Sequence, residues 1–222
     1  MVRRNTALRG IILEKAHSFF SEKGYEITSI NDIISSLGIS KGAFYHYFKS
    51  KDDVLDAIIM DYVVEVVEML NHIANAPSLN ALDKYWKMFT ETQVMRKQNS
   101  KRFLFLAKMF QGEKNLLFQY RYTEKILELT KPPFILILNQ GVKEGLFRIN
   151  DPEETAELIM RIGNIYRTKI AVYALNINDN PNIRLKIKNI IEFMQDMVER
   201  VLGLSSGKLD FISRGFENGI RS

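Results

Sequence analysis

The sequence predicts an all-α protein with a small N-terminal domain of short helices and a larger helical body. Apolar residues recur every three or four positions along most of the 222 residues, as they do on one face of an amphipathic helix. Only five prolines and twelve glycines interrupt the chain, and no segment shows the alternation of a convincing β-strand. We place the predicted boundary between residues 1–50 and residues 51–222.

The first two helices are predicted from their start and stop signals. The first has an apolar stripe over residues 8–20 and stops at Gly24, which tolerates the left-handed conformation of a helix end. Ser29 and Asp32 have the spacing of a capping box at the start of the second helix. Gly38 ends this second helix after about three turns and allows a sharp turn.

A third short helix is predicted over residues 41–48 behind Ser40, and a fourth, long helix from Ser50 to Ala76. Further helices are predicted near 79–97, 100–111, 115–145, 152–175 and 181–202. Asp151-Pro152 and Asn180-Pro181 are the start signals of the last two. Pro132-Pro133 should kink or break the helix around them, because neither can donate a backbone hydrogen bond. Residues 204–222 are expected to form a short helix or a loose tail.

Composition excludes several classes of protein. The chain has no cysteine, which excludes a disulfide framework, a thiolate zinc site and a cysteine nucleophile. No stretch approaches the ~18 uncharged apolar residues of a membrane span, and the N-terminus lacks the apolar core of a signal peptide. We therefore expect a cytoplasmic protein with no membrane partner.

Positive charge is concentrated at the N-terminus. Residues 1–51 hold eight Lys or Arg and four Asp or Glu, so this segment carries most of the net charge of +5. A basic end on a near-neutral body favours a polyanionic partner for that end, although a solvated basic face would have the same composition.

Two short helices joined by a glycine turn, with the second polar on one side, are typical of a helix-turn-helix. Ile39, Phe44 and Phe48 would anchor the second helix, so its opposite side could enter a DNA major groove about 12 Å wide. That outer side carries Lys41, Gly42, Ala43, Tyr45 and His46. Lys51 follows at the start of the next helix, where its charge could meet a phosphate.

The residues from Thr28 to Ile33 and the run from Gly38 to Lys51 resemble the N-terminal domain of TetR (tetracycline-repressor) family regulators. The resemblance covers roughly residues 8–60 and implies a transcriptional regulator that binds double-stranded operator DNA. The positions it implies for DNA contact are Thr28, Ser29, Ser40, Lys41, Gly42, Ala43, Tyr45, His46, Tyr47 and Lys51. The chain departs from the family at His46-Tyr47-Phe48, where members often have an aromatic residue, His and Phe in that order.

The rest of the chain resembles the family only in plan. The resemblance implies a homodimer formed through the helices near 152–175 and 181–202, and a pocket for a small hydrophobic or amphipathic ligand. The last helix has a broad apolar face, enough for core and partner together, made of Ile187, Ile190, Ile191, Met194, Val198, Val201 and Leu202. The candidate pocket residues are Trp86, Phe89, Phe105, Met109, Tyr122 and Tyr166. Arg161, Arg167 and Lys169 are expected to face solvent by default, with contact of one of them with an acidic ligand as the alternative.

The resulting hypothesis is a repressor that a ligand releases from a palindromic operator by moving the fourth helix. One alternative is an activator or architectural DNA-binding factor of the same fold that needs no effector. Another is an all-α enzyme, which has little support because the chain shows no nucleophile–base signature, and helix capping explains Asp52-Asp53 and Glu153-Glu154. Three scattered histidines do not make a metal site. We therefore predict no enzymatic activity, no metal and no cofactor.

Overall fold

The all-α prediction is confirmed by the structure, a computed structural model that describes residues 2–98, 100–111, 113, 115–175 and 182–209. Over these residues the chain forms nine helices and no strand. The helices are α1 (Val2–Glu22), α2 (Ile30–Leu37), α3 (Lys41–Tyr45), α4 (Lys51–Ala74), α5 (Ala81–Gln98), α6 (Ser100–Met109), α7 (Leu116–Lys143), α8 (Pro152–Leu175) and α9 (Asn182–Val201).

The ends of the helices agree with the prediction in most places. α1 begins earlier than its apolar stripe, at Val2, and α3 ends at Tyr45 rather than near residue 48. The turn after α3 nevertheless keeps a helical hydrogen bond, because the Phe48 N–H donates to the Phe44 carbonyl at 3.1 Å. Helix assignments commonly differ by one or two residues at such frayed ends. The predicted start signal Asn180-Pro181 and the tail from residue 210 lie outside the described residues.

Of the kink or break predicted at Pro132-Pro133, the break was wrong, since α7 runs as one helix through both prolines, and the kink stays a prediction. Buried side chains flank the pair on both sides, with Leu127 at 4%, Thr130 at 4% and Phe134 at 2% exposure. A proline inside a helix costs about 3 kcal/mol relative to alanine. Burying several apolar side chains at ~1.5–3 kcal/mol each outweighs that cost. Packing within the fold therefore overrides the local signal.

The described residues form two compact units. The first comprises the residues up to Val64 together with Lys108–Lys125, and the second comprises Glu65–Ala107 together with the described residues from Ile126 onward. α4 and α7 each contribute residues to both units. The domain boundary at residue 50 stays a prediction.

The first unit has its core where α1, α2, α3 and the first turns of α4 bury their apolar faces. The side chains that are no more than 3% exposed include Ile12, Ala16, Phe20, Tyr25, Ile33, Phe44, Phe48, Val54, Leu55 and Ile58. His17 of α1 is hydrogen-bonded to the Tyr62 hydroxyl of α4. This contact gives His17 a structural role, as expected for an isolated helix histidine.

Residues 108–125 complete the first unit through polar contacts that the sequence did not reveal. The side-chain oxygen of the buried Asn115 accepts a hydrogen bond from the Tyr25 N–H at 3.0 Å. Arg121 Nη1 lies 3.4 Å from a carboxylate oxygen of Asp52 and 3.2 Å from one of Asp56. The Tyr25 hydroxyl donates to Asp52. The start of α7 is thus tied to the turn after α1 and to the start of α4.

The second unit fixes the C-terminal end of α4 with a buried lysine. Lys84 is 5% exposed, and its ammonium donates to the carbonyl oxygen of Ala74 and to Gln140 Oε1, each at 2.7 Å. Gln140 donates in turn to the Leu79 carbonyl at 2.9 Å. Since carbonyls at a helix C-terminus lack partners within the helix, Lys84 serves as a side-chain cap for α4.

A buried carboxylate, that of Glu199, lies in the last turn of α9. Glu199 is 2% exposed, and its two oxygens accept hydrogen bonds from the backbone N–H groups of Gly207 at 3.0 Å and Leu209 at 2.6 Å. Leu209 itself is fully buried. The first residues of the predicted tail therefore form turns against the end of α9, whereas residues 210–222 lie outside the described residues.

Candidate DNA-binding surface and cavity

The turn from α2 to α3 is built from two caps that the sequence predicts. The Ser29 hydroxyl accepts from the Asp32 N–H at 3.1 Å, and Asp32 accepts from the Ser29 N–H at 2.8 Å, so the capping box is confirmed. The hydrogen bond from the Ser29 backbone is the main reason that the pKa of Asp32 lies below its usual range. Gly38 ends α2 in the left-handed region, with φ +62°.

α3 presents one buried face and one accessible face. Phe44 is fully buried and Phe48 is 3% exposed, so these two rings anchor α3 to the first unit. On the other side Ser40, Lys41, Gly42, Tyr45 and His46 are exposed, and Ala43 and Tyr47 are half-buried. The Ser40 hydroxyl caps α3 by accepting from the Ala43 N–H at 3.1 Å. An accessible polar face on a rigidly anchored helix is what insertion into a groove requires.

The structure distinguishes the two residues that open α2. Thr28 is 1% exposed, and its hydroxyl donates to the Gly24 carbonyl at 2.8 Å. Ser29 is exposed at the surface of the cap. Because a phosphate must reach the hydroxyl from solvent, this geometry favours Ser29 over Thr28 as the phosphate contact.

Lys51 points inward to the turn between α1 and α2. Its ammonium donates to the carbonyl oxygens of Tyr25 at 2.8 Å, Glu26 at 3.2 Å and Thr28 at 2.9 Å, and it lies 4.3 Å from the centre of the Tyr25 ring. An ammonium has three N–H donors. The three carbonyl oxygens can engage all three N–H donors, so Lys51 holds the turn in place. Contact of Lys51 with a phosphate stays a prediction.

The second unit contains a cavity of about 150 Å³. It is lined by residues of α4, α5, α7, α8 and α9: Val66, Leu70, Tyr85, Met88, Phe89, Thr92, Ile126, Thr130, Phe134, Ile159, Met160, Gly163, Arg167, Ile170, Ile191, Met194, Met197 and Val198. Most of these side chains are apolar, and four are methionines, which adapt readily to the shape of a ligand. A cavity of this kind can hold a small organic molecule.

Comparison with known families identifies the first unit. Residues 12–58 match the sequence profile of the bacterial regulatory proteins of the tetR family, and this stretch includes the capped turn and α3. These residues carry the sequence pattern of the tetR family. The curated proteins that the chain resembles are named HTH-type transcriptional regulators or repressors.

Individual relatives extend the likeness beyond the DNA-binding domain. The transcriptional repressor KstR2 of Mycobacterium tuberculosis is 26% identical over 156 residues, which cover 69% of this chain and 74% of KstR2. The regulator YfiR of Bacillus subtilis is 28% identical over 202 residues, covering 89% of this chain and 87% of YfiR. The solved complex of SmeT, a repressor from Stenotrophomonas maltophilia, with triclosan matches with a TM-score of 0.65 at 17% identity, covering 91% of this chain and 94% of SmeT. This structural likeness concerns the fold.

The cavity includes one of the six pocket residues suggested by the sequence, Phe89. Tyr122 belongs to the first unit, where it packs on the rings of Phe110 and Phe118. The other four also lie outside the lining: Trp86, Phe105, Met109 and Tyr166.

Arg161 and Lys169 are exposed, whereas Arg167 is half-buried and lines the cavity. The sequence signal for the lining was a set of stripes at helical spacing, with Tyr85, Met88, Phe89 and Thr92 on α5. On α8, Gly163 and Arg167 interrupt an apolar stripe. A small residue and a cation within such a stripe indicate that this face of α8 borders a cavity instead of a fully packed core.

The described residues hold no group of three or more His, Cys, Asp or Glu side chains that could bind a metal ion. Among the described helices, none is both long and apolar enough to cross a membrane.

Proposed function

We propose that this TetR-family regulator is a homodimeric repressor that binds a palindromic operator through α3 and leaves it when a small molecule fills the cavity. The observation that carries the DNA-binding part is the exposed polar face of α3, held in place by the buried rings of Phe44 and Phe48. Two of the relatives, KstR2 and SmeT, are named repressors, which supports repression as the direction of control.

Lys41, Tyr45 and His46 are the side chains best placed to touch DNA, since they are exposed on the anchored helix. We expect the purified protein to select a near-palindrome from a random-sequence DNA library at about physiological salt. Two copies of α3 in a dimer should read half-sites roughly one DNA turn, ~34–36 Å, apart. Recovery of no preferred sequence, with binding lost as salt rises, would leave only non-specific phosphate binding.

Tyr45→Ala tests the assignment of the reading surface. Tyr45 is 50% exposed, and Tyr120 on α7 offers a matched aromatic residue that is 66% exposed on a different helix. Tyr45→Ala should weaken operator binding by about tenfold, as expected for the loss of one hydrogen bond of about 1.4 kcal/mol to phosphate. Tyr120→Ala should leave affinity unchanged. If the two variants change operator affinity equally, α3 is not part of the DNA-binding interface.

An uncovered apolar face on α8 and α9 supports the dimer. Leu158 is 47% and Ile165 63% exposed on α8, two helical turns apart, and Leu185 is 57% and Phe193 53% exposed on α9. α8 and α9 pack against each other, and the rings of Tyr166 and Phe193 lie 5.6 Å apart. A second copy of the same two helices would bury these side chains in a four-helix bundle, where apolar residues are stabilised.

The sequence assigned seven apolar residues of α9 to core and partner together, and four of them lie in the core. Ile187, Ile191, Val198 and Leu202 are buried in the second unit, because the stripe that they form faces the core. The other three, Ile190, Met194 and Val201, are half-buried, and Leu185 and Phe193 are exposed on the same helix.

Charge substitution on this face tests the dimer. Ile165→Glu combined with Phe193→Glu should give a monomer by light scattering coupled to gel filtration, because the interface would bury carboxylates without partners. The control is Leu136→Glu, which places the same charge on an α7 leucine that is 51% exposed. A dimer that survives the double substitution would refute this interface.

The proposed release mechanism uses α4. Val66 and Leu70 of this helix line the cavity, and the same helix begins six residues after α3 ends. A ligand that favours a different position of α4 would alter operator affinity by a coupling of roughly 1–3 kcal/mol, or about 5–150-fold. The measurement is operator affinity with and without a ligand shown to occupy the cavity. A bound ligand that leaves the affinity unchanged would refute the mechanism.

A further inference from the structure

Methionine side chains form a large part of the cavity wall. The chain has nine methionines and no cysteine, and four of those methionines line the cavity. They come from three helices, with Met88 on α5, Met160 on α8, and Met194 and Met197 on α9. All four side chains are half-buried. We refer to these four residues as the cavity methionines.

The polar side chains of the described lining already have partners within the protein. The hydroxyls of Thr92 and Thr130 each donate to the carbonyl four residues earlier in their own helix, at 2.7 and 2.5 Å. Tyr85 and Arg167 each interact with other groups of the protein. Across the described residues, every buried side-chain nitrogen and oxygen has a hydrogen-bond partner. A ligand that brought a carboxylate into the cavity would lose its hydrogen bonds to water, so the wall favours a neutral ligand.

The volume of the cavity limits the size of the ligand. A dry engineered cavity of about 150 Å³ lined by Leu, Ile and Phe can hold benzene. The cavity in this protein also has a volume of about 150 Å³, and most of the side chains in its wall are apolar. Transfer of an apolar molecule from water into such a space is favourable in proportion to the apolar area that it buries. The space therefore suits a molecule of about one six-membered ring.

The thioethers distinguish an aromatic ring from a saturated one. A methionine sulfur makes a favourable contact with an aromatic ring, often at the ring edge, and a saturated ring offers no such contact. We propose that the cavity binds a neutral aromatic molecule of one ring, which the cavity methionines select over a saturated ring with the same number of carbons. This inference rests on the proposed function in one respect, since it names the ligand class of the cavity to which release from DNA is assigned.

The test compares benzene, cyclohexane and benzoate by isothermal titration calorimetry on the full-length protein without DNA, at pH 7. Cyclohexane exposes more apolar surface than benzene, so transfer from water alone would favour cyclohexane. The wild-type protein should nevertheless bind benzene more tightly than cyclohexane, because the thioethers contact only the aromatic ring. Benzoate adds a negative charge to the same ring and should bind about tenfold or more weakly than benzene.

Replacement of all four cavity methionines by leucine removes the sulfur atoms and keeps side chains of similar volume, an exchange that protein cores usually tolerate. In this variant the ratio of benzene affinity to cyclohexane affinity should fall about tenfold, while cyclohexane still binds. The matched control combines Met60→Leu with Met109→Leu, since both of these methionines lie outside the described lining. The control should keep the wild-type ratio.

Two further measurements place benzene in this cavity, even if the fourfold variant does not fold. In wild-type protein with isotope-labelled methionine methyl groups, the ring current of benzene should shift the NMR signals of the cavity methionines and leave those of Met60 and Met109 in place. Gly163 lines the cavity, and a Cβ added to it would meet no atom within 4 Å, so a leucine side chain has room to fill the space. Gly163→Leu should therefore fold and lose binding of benzene.

The inference is overturned if benzene does not bind, if cyclohexane or benzoate binds as tightly, if the ratio persists without the cavity methionines, or if Gly163→Leu still binds benzene. A separate measurement of operator affinity tells its failure apart from failure of the proposed function. Benzene that binds with this selectivity and leaves operator affinity unchanged would keep this inference and refute ligand release. Release from the operator by a saturated or anionic compound alone would keep ligand release and refute the aromatic ligand.

Discussion

Lys51→Met removes the ammonium that holds the turn between α1 and α2 while keeping an unbranched apolar side chain. The lost contacts are hydrogen bonds of 2.8, 2.9 and 3.2 Å to three carbonyl oxygens and the approach of the charge to the Tyr25 ring. The two shorter hydrogen bonds should contribute about 1 kcal/mol each at a half-buried site, and the cation–π contact about 0.5 kcal/mol. We expect unfolding to become easier by about 2–3 kcal/mol.

Thermal unfolding and the salt dependence of operator binding together distinguish the turn role from a phosphate contact. For a chain of this length, a loss of 2–3 kcal/mol should lower Tm by about 4–12 °C. If Lys51 acts on the turn, the slope of log affinity against log salt should stay at its wild-type value. If it binds a phosphate, the slope should decrease in magnitude by about 0.9.

Two neighbouring lysines provide the controls. Lys49 is exposed, and Lys49→Met should change stability by no more than about 0.5 kcal/mol. Lys41 is exposed on α3, and Lys41→Met should decrease the salt slope without changing Tm. A Lys51→Met protein that keeps its wild-type Tm and loses about one unit of salt slope would refute the turn role.

Two further perturbations test the polar contacts of each unit. Lys84→Met should destabilise the second unit by about 2–3 kcal/mol in urea unfolding, because the Ala74 carbonyl and Gln140 lose a buried charged donor. Lys87→Met, at an exposed position of α5, should leave stability unchanged. If both variants unfold at the same urea concentration, Lys84 does not cap α4. The hydrogen bond from the Tyr25 hydroxyl is the main reason that the pKa of Asp52 lies below its usual range. The ionised Asp52 therefore stabilises the fold above the unfolded-state pKa of about 3.9. This stabilisation is lost as pH falls through the lower folded-state pKa. Asp52→Asn should therefore flatten the acid side of the stability–pH curve between about pH 5 and 2, and Asp61→Asn, at an exposed carboxylate, should leave it as steep as in wild type.

The sequence predicts those parts of the fold that depend on neighbouring residues. The capping box at Ser29 and the left-handed Gly38 act over three or four residues, and both occur as predicted. Phe44 and Phe48 were also placed correctly, because a four-residue spacing brings them to one face of a helix. The break expected at Pro132-Pro133 failed because burial by distant parts of the chain decides the outcome there.

The candidate site is harder to predict because it depends on which side chains meet across the fold. The TetR pattern places Lys51 at a position implied for DNA contact, but it does not show that the carbonyls of the preceding turn surround its ammonium. The aromatic residues of the middle segment gave one lining residue, Phe89, because an aromatic side chain packs equally well in plain core. Periodicity did not single out Arg167 from Arg161 and Lys169, because it does not show which face of a long helix borders a cavity.

The hydrogen bond from Lys84 to the Ala74 carbonyl gives α4 a fixed end. If the helix rotates about this end, the displacement of each residue grows with its distance from Ala74. At 1.5 Å per residue, Val66 in the cavity wall lies about 12 Å along the axis from Ala74, and Lys51 lies about 35 Å from it. Rotation of a straight α4 about Ala74 would multiply a displacement at Val66 about threefold at Lys51. A movement of half an ångström caused by a ligand would thus become roughly 1.5 Å at the end of the helix nearest in sequence to α3.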